Sequence, residues 1–130
     1  VLRSQSTRHG AAQIIGIDDS ERSSQVEREL ATINIDTACF VLLLYHRPRG
    51  LLDAAAAGVD LMISGHTHNG QIVPFNLVVG RVFEQAVGLF RHNQTQLYVS
   101  PGTGTWGPVM RLGSRGEVTL FEIQPAVVAL

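Results

Sequence analysis

The sequence predicts a mixed α/β fold in a single domain, and three patterns in its 130 residues support that prediction. The run CFVLLLYH at residues 39–46 is continuously apolar, which is typical of a buried strand. A second apolar run, VDLMIS at 59–64, follows an alanine-rich stretch with the composition of a helix. The segment EVTLFEI at 117–123 alternates apolar and polar residues, so we expect the second half of the chain to be mainly β.

The composition excludes several classes of protein. Apolar residues make up 45% and charged residues 16% of the chain, which excludes an intrinsically disordered protein. A net charge of −1 carries no signal of nucleic-acid binding. The single cysteine, Cys39, excludes an internal disulfide and fits a small buried residue. Because no apolar run reaches the roughly 18 residues of a membrane helix, we expect no membrane segment in this sequence.

The first part of the chain is predicted to alternate strands with a short helix. Residues 1–10 are polar and fit either a fraying terminus or an edge segment. The stretch AAQIIGIDD at 11–19 predicts a short buried strand that ends in a turn. A helix is expected through residues 26–30, with Ser24 and Glu27 spaced as a capping box.

The middle of the chain predicts a strand, a loop, a helix and a second strand that ends before Gly65. We expect the strand at 39–46 to be central and covered on both sides, and the alanine-rich helix to stop at Gly58. Beyond it, extended segments are expected around 71–83 and 96–100, followed by a glycine-rich loop and the last strand.

Three histidines are placed where ligands collect in α/β proteins. His46 closes one predicted strand, and His66 and His68 follow the next, between Gly65 and Gly70, which free the loop to bend. A single histidine at a strand end usually hydrogen-bonds a carbonyl. Three of them at the ends of neighbouring strands favour a metal site, since imidazole binds Zn, Fe and Mn.

Other polar residues near these histidines have two interpretations each. Arg47 and Arg49 fit either a clamp for a phosphoryl group or solvated loop arginines. Asn69 and Gln71 fit either groups that orient the ligand histidines or ordinary loop hydrogen bonding. Asp18 and Asp19 are expected to cap backbone amides in a turn. The loop PGTGTWG lacks the lysine of a phosphate-binding loop, and its tryptophan, residue 106, fits a core anchor or a cleft wall.

Three stretches together resemble the C-terminal half of a calcineurin-like metallophosphoesterase domain. They are LLLYHRP, AAAAGVDLMISGHTHNGQIVPF and LYVSPGTGTWGPVMRLGSRGEVTL. The resemblance covers about residues 13–123, is most specific in GHTHNGQ, and is greatest to a bacterial subgroup whose catalytic domain often follows membrane-spanning helices.

The resemblance implies that this chain is a portion of a four-layer αββα sandwich with two divalent metal ions, Mn, Fe, Zn or similar. His46 and His66 would bind one ion and His68 the other. His92 resembles a family position near the rim of the substrate cleft, although it also fits an ordinary loop histidine. The implied substrate is a phosphate mono- or diester.

The family's other ligand motifs, DxH, GDxxD and GNH[DE], do not occur in residues 1–130. They supply the bridging aspartate and the general acid, so the catalytic acid is not assigned here. We therefore expect residues 1–130 to be the C-terminal part of one metallophosphoesterase domain, inactive or weakly active when isolated.

Two alternatives to a hydrolase fragment stay open. The chain is also consistent with a non-catalytic metal-binding module, or with a half-site subunit completed by another chain. Half of a sandwich exposes an apolar sheet face, which predicts self-association. The lack of disulfides favours a cytoplasmic location, and the resemblance adds membrane association through a segment outside this sequence.

Overall fold

The computed structural model describes residues 1–124. Its six strands are β1 Gln5–His9, β2 Ala12–Gly16, β3 Phe40–Leu44, β4 Leu61–Ser64, β5 Gly88–His92 and β6 Thr95–Val99. Its three α-helices are α1 Gln25–Leu30, α2 Leu51–Ala56 and α3 Phe75–Val82, and a 3-10 turn covers His68–Gly70. This arrangement confirms the predicted α/β class. None of the helices in residues 1–124 has the length and hydropathy needed to span a bilayer.

All six strands form one mixed sheet in the order β1-β2-β3-β4-β6-β5. The four inner strands run parallel, and β1 and β5 close the two edges in antiparallel fashion. The register places Ile15 beside Leu43, Leu43 beside Met62 and Met62 beside Leu97. These four side chains are fully buried and share the face on which α1 and α2 pack. The inner strands therefore present all their carboxyl ends at one edge of a rigid sheet.

The opposite face of the sheet is only partly covered by the described residues. Leu44 is 40% exposed, and Ile14, Leu42 and Ile63 are half-buried. The prediction that the strand at 39–46 is covered on both sides is therefore wrong for this part of the chain. Its apolar character reflects one face packed against helices and one face that remains open to a partner or to solvent.

Most elements of the first half match their predictions. The polar first residues form the edge strand β1, and the buried strands β2, β3 and β4 lie where expected. Helix α2 stops at Gly58, whose φ of +83° is a left-handed conformation. Helix α1 also forms, but Ser24 makes no side-chain cap hydrogen bond, so the predicted capping box is wrong.

Two predicted extended segments are wrong. Residues 75–82 form α3 instead of a strand, because a turn beginning at Pro74 leads the apolar run into a helix despite its valines. Residues 117–123 form no strand, and Val118 and Leu120 are 87% and 93% exposed. Strand β5, which had not been predicted, already occupies the edge beside β6. The C-terminal segment instead contacts the sheet through Phe121, whose ring centroid lies 5.1 Å from that of Tyr98.

Candidate metal centre

Two loops at the carboxyl edge of the sheet bring His46 and His66 together. Each histidine follows its strand by two residues, and the strands, β3 and β4, are parallel neighbours. The amide of Gly65 donates to the carbonyl of His46 at 3.0 Å, which ties the two loops to each other. His46 Nε2 and His66 Nδ1 are 3.1 Å apart, with the ring planes at 84°. At this distance the two facing ring nitrogens share one hydrogen bond, so they lie together at one point of the carboxyl edge.

The loop that carries His66 has an unusual backbone. Four of its residues have a positive φ: 71° at His66, 49° at His68, 48° at Asn69 and 52° at Gln71. Such left-handed conformations are uncommon for residues other than glycine and are often held in place at functional sites. Gly70 is required in this loop, because a Cβ there would lie 2.2 Å from the Cα of Asn76. The turn is thus held against the start of α3.

His68 lies apart from the other two histidines. Its Nδ1 is 3.4 Å from Arg111 Nη2, and its carbonyl accepts a hydrogen bond from Ser114 Oγ at 3.0 Å. Burial lowers the pKa of the His68 imidazole, and the charge of Arg111 lowers it further. Within residues 1–124, no three His, Cys, Asp or Glu side chains come close enough to hold a metal ion together. Of the three predicted ligands, the structure brings two into contact.

The loop after β3 is fixed by an ion pair between Arg47 and Asp19. Arg47 Nε donates to Asp19 Oδ1 at 2.8 Å, and Nη2 donates to Oδ2 at 3.2 Å. The Arg47 side chain is only 14% exposed, and Glu21 lies 3.6 Å from it. This hydrogen bonding lowers the pKa of Asp19. Arg47 is therefore neither a solvated loop arginine nor free to bind a phosphate. Asp19 binds the Arg47 side chain instead of capping backbone amides, and Asp18 likewise contacts Arg3.

The electrostatic surroundings favour a neutral imidazole at His66. Burial lowers the pKa of His66, and the charges of Arg47 and His46 lower it further, against an opposing effect of Asp19. Only a neutral imidazole has a nitrogen lone pair available to a metal ion.

Gln71 holds the glycine-rich loop rather than a histidine ring. This buried side chain donates from Nε2 to the carbonyls of Trp106 and Pro108 at 2.8 and 3.1 Å, and its Oε1 accepts from the Trp106 amide at 2.6 Å. Trp106 is 68% exposed, which excludes a core anchor. Asn69 donates its backbone amide to Thr67 Oγ1 at 3.3 Å within the 3-10 turn.

The sequence reasoning missed Arg111. Its guanidinium donates to the carbonyls of Pro101, Gly102 and Gly104, at 2.8, 3.2 and 2.5 Å from Nη2. It also donates to the carbonyl of His68 at 3.4 Å, so one side chain joins the glycine-rich loop to the histidine turn. No motif distinguishes Arg111 from the nine other arginines, and its role depends on a contact 43 residues distant in sequence.

His92 is the last residue of β5 rather than part of an ordinary loop. It pairs with Thr95 in the register with β6 and is half-buried. It lines a groove that also contains Arg49 and Phe83, and the ring of Phe83 contacts His66 at a centroid distance of 5.7 Å.

Comparison with known proteins identifies relatives that share most of this chain. A Bacillus subtilis protein named uncharacterized metallophosphoesterase YkoQ is 36% identical over 124 residues, covering 90% of this chain and 45% of the relative. A Helicobacter pylori protein named uncharacterized metallophosphoesterase is 40% identical over 86 residues, covering 65% of this chain and 23% of the relative. The chain belongs to the calcineurin-like metallophosphoesterase family. A bovine relative, 42% identical over 65% of this chain and 20% of its own length, is named transmembrane protein with metallophosphoesterase domain.

The chain spans about a quarter of the length of the Helicobacter relatives and just under half of the Bacillus one. No family model matches it. No solved structure matches it significantly either.

Membership of this metallophosphoesterase family implies divalent metal cofactors. The donor set at the carboxyl edge fits two ligands of one such ion. His46 Nε2 and His66 Nδ1 are close enough to bind the same ion, and imidazole nitrogen is a ligand that Zn, Fe and Mn accept. Arg111 lies beside the His68 ring nitrogen, so His68 would have to exchange that contact for a metal.

Proposed function

We propose that this chain takes part in metal-dependent hydrolysis of phosphate mono- or diesters. In this proposal His46 and His66 hold one ion, and His68 is a ligand of a second. The observation that carries the proposal is the 3.1 Å separation of His46 Nε2 and His66 Nδ1 at the ends of adjacent parallel strands. The relatives named metallophosphoesterase support the same chemistry.

Divalent ions, when bound, polarise a phosphoryl oxygen and activate a water molecule. The chain's own residues would hold the ligand histidines in position. The Arg47–Asp19 pair fixes the loop that carries His46, and the backbone hydrogen bond from Gly65 fixes that loop against the next one. Arg111 fixes His68 against the glycine-rich loop. The ions remain open among Mn, Fe, Zn and similar metals, since imidazole accepts several.

We further propose that residues 1–130 form the C-terminal part of one catalytic domain and are inactive or weakly active alone. Two observations support this. The chain covers less than half of the length of these relatives. The DxH, GDxxD and GNH[DE] motifs do not occur in residues 1–130. The general acid and the bridging carboxylate would then come from residues outside this sequence.

A second candidate is a half-site subunit completed by another chain, and a third is a non-catalytic metal-binding module. The observation that favours the half-site subunit is the partly uncovered sheet face, on which Leu44 is 40% exposed. A partner that covers this face would also place new side chains near the carboxyl edge.

Membrane association belongs to the same set of proposals. Its support is the bovine relative's name, which includes the word transmembrane. Fractionation of cells that express the complete protein tests it, since the protein should sediment with membranes.

The deciding experiment measures metal content and hydrolysis on the same samples. The wild-type chain, His46→Ala and His66→Ala are analysed for bound metal and for hydrolysis of p-nitrophenyl phosphate and its bis-ester with Mn²⁺. His9→Ala is the control, because His9 is exposed on β1. We expect metal in the wild type and the control, and loss of metal in both other variants. Unchanged metal content in either one would overturn the site assignment.

Turnover separates the half-site subunit from the other candidates. Metal without hydrolysis supports either an incomplete catalytic site or a non-catalytic metal-binding module. Hydrolysis that rises steeply with chain concentration supports a half-site completed by a second copy.

A further inference from the structure

A groove of about 630 Å³ opens beside the histidine pair. Phe83 forms the boundary between them, since the edge-on contact of its ring with His66 has a centroid distance of 5.7 Å and an interplanar angle of 71°. The groove then extends along α2 and β5. Its walls include Leu51, Leu52, Phe83 and Phe90.

One cation that lines the groove, Arg49, lies beside Phe83. The guanidinium carbon of Arg49 lies 5.7 Å from the centroid of the Phe83 ring, within the range of a cation–π contact. A guanidinium stacked in this way keeps the N–H groups along its edge available for an anion. Arg47 is not available to an anion in the same way, because its Nε and Nη2 both donate hydrogen bonds to Asp19.

The groove combines apolar walls with charged residues of both signs. Asp53 and Glu84 line it together with Arg91 and His92. Its carboxylates disfavour a second strongly anionic group, whereas the two phenylalanines provide faces for a flat apolar one.

The geometry points to a subsite for the organic group of a phosphoester, with an uncharged aromatic group against Phe83 and Phe90 and the phosphate between Arg49 and the histidine pair. This inference rests on the proposed function for the position of the phosphate. It adds the substrate class, an aryl phosphoester, and it makes Phe83 the residue that determines specificity.

Binding to the metal-free chain tests the subsite without depending on turnover. The ¹⁵N-labelled chain is titrated with 2-naphthyl phosphate, glycerol 2-phosphate and inorganic phosphate, and amide shifts are followed by NMR. We expect 2-naphthyl phosphate to shift the amides of residues 49–52 and 83–92. Its Kd should be at least about tenfold lower than that of glycerol 2-phosphate, because only the aryl group buries apolar surface.

Phe83→Ala should raise the Kd for 2-naphthyl phosphate about tenfold and leave that for inorganic phosphate unchanged. Phe75→Ala is the matched control, since Phe75 is 48% exposed on α3 and does not line the groove. Arg49→Gln provides a second variant and should weaken both ligands. The amide dispersion of each spectrum reports whether the variant has folded.

Equal Kd values for the aryl and glyceryl esters, or an unchanged Kd in folded Phe83→Ala, would overturn the subsite. Metal content of the same variants keeps the two proposals separate. A wild-type chain that takes up metal but has no aryl preference contradicts the subsite alone, whereas aryl binding in a chain that takes up no metal contradicts the metal centre alone.

Discussion

The guanidinium of Arg47 and the carboxylate of Asp19 form a two-point ion pair across 28 residues of sequence, directly beside His46. It joins the turn after β2 to the loop after β3, two neighbouring parallel strands. The pair also largely buries Arg47, one of the two arginines that the sequence offered for phosphate binding, whereas the other, Arg49, lines the groove beside Phe83.

Asp19→Asn should lower the free energy of unfolding at pH 7 by about 1 kcal/mol or less, since Asp19 is 41% exposed and solvent screens part of the interaction. The pair holds the pKa of folded Asp19 below its ordinary value of 3.8. Its stabilisation is therefore present above pH 3.8 and is lost as the pH falls through the folded pKa. Urea titrations at several pH values measure the difference between wild type and variant.

Asp18→Asn is the matched control, because its ion pair with Arg3 joins side chains that are 45% and 76% exposed. It should change stability less than Asp19→Asn does. A difference for Asp19→Asn that persists undiminished at pH 2 would contradict the ion-pair explanation.

Gly70→Ala should destabilise the histidine turn. The new Cβ would meet Asn76 at 2.2 Å from its Cα, and Gly70 has φ of +70°. Because neither the turn nor the start of α3 can yield without losing contacts, we expect a loss of about 1–3 kcal/mol. Thermal unfolding followed by circular dichroism measures it.

Gly80→Ala is the control for that substitution, because a Cβ at Gly80 meets nothing within 4 Å and the residue lies inside α3. It should stabilise the chain by about 0.5–1 kcal/mol through helix propensity. Equal effects at both positions would contradict the assigned packing of the turn.

Gln71→Ala should loosen the loop that carries Trp106. The substitution removes three hydrogen bonds to backbone groups of Trp106 and Pro108, at an expected cost of about 1–3 kcal/mol. Trp106 is the only tryptophan, so its fluorescence anisotropy reports the mobility of this loop. Anisotropy should fall in Gln71→Ala and stay constant in Gln96→Ala, on β6. A constant value in both variants would show that Gln71 does not hold the loop.

Self-association through the open sheet face is expected when the chain is isolated. Leu44 is 40% exposed on that face, beside the half-buried Ile63. Sedimentation velocity should show oligomers that increase with concentration and decrease in Leu44→Glu. Leu52→Glu, on the other side of the sheet and 64% exposed, is the control. A monomer at all concentrations would contradict the expectation.

The contact between His46 and His66 was predictable because it follows from local patterns. Two continuous apolar runs indicated parallel strands, and the carboxyl ends of such strands meet at one edge. The sequence therefore placed both histidines at that edge, and the structure brings their nitrogens to 3.1 Å.

The contacts of Arg47 and Arg111 were not predictable in the same way. Asp19 and His68 lie 28 and 43 residues from the arginines that contact them, and no periodicity reports such pairs. Alternation at 117–123 failed as a strand signal because the pattern alone does not specify a pairing partner, and this segment contacts the sheet through side chains such as Phe121. The predicted extended segment at 75–82 is a helix, because tertiary context overrides the β propensity of its valines.

His46 Nε2 and His66 Nδ1 are proposed to bind one metal ion. The most direct measurement is a titration of the ¹⁵N-labelled chain with Zn²⁺, followed through the histidine ring nitrogens by long-range ¹H–¹⁵N NMR. We expect these two nitrogens to shift together and to saturate at one equivalent of Zn²⁺, while the rings of His9 and His92 stay unchanged. Separate saturation of the two rings, or shifts at His9 and His92 alone, would contradict it.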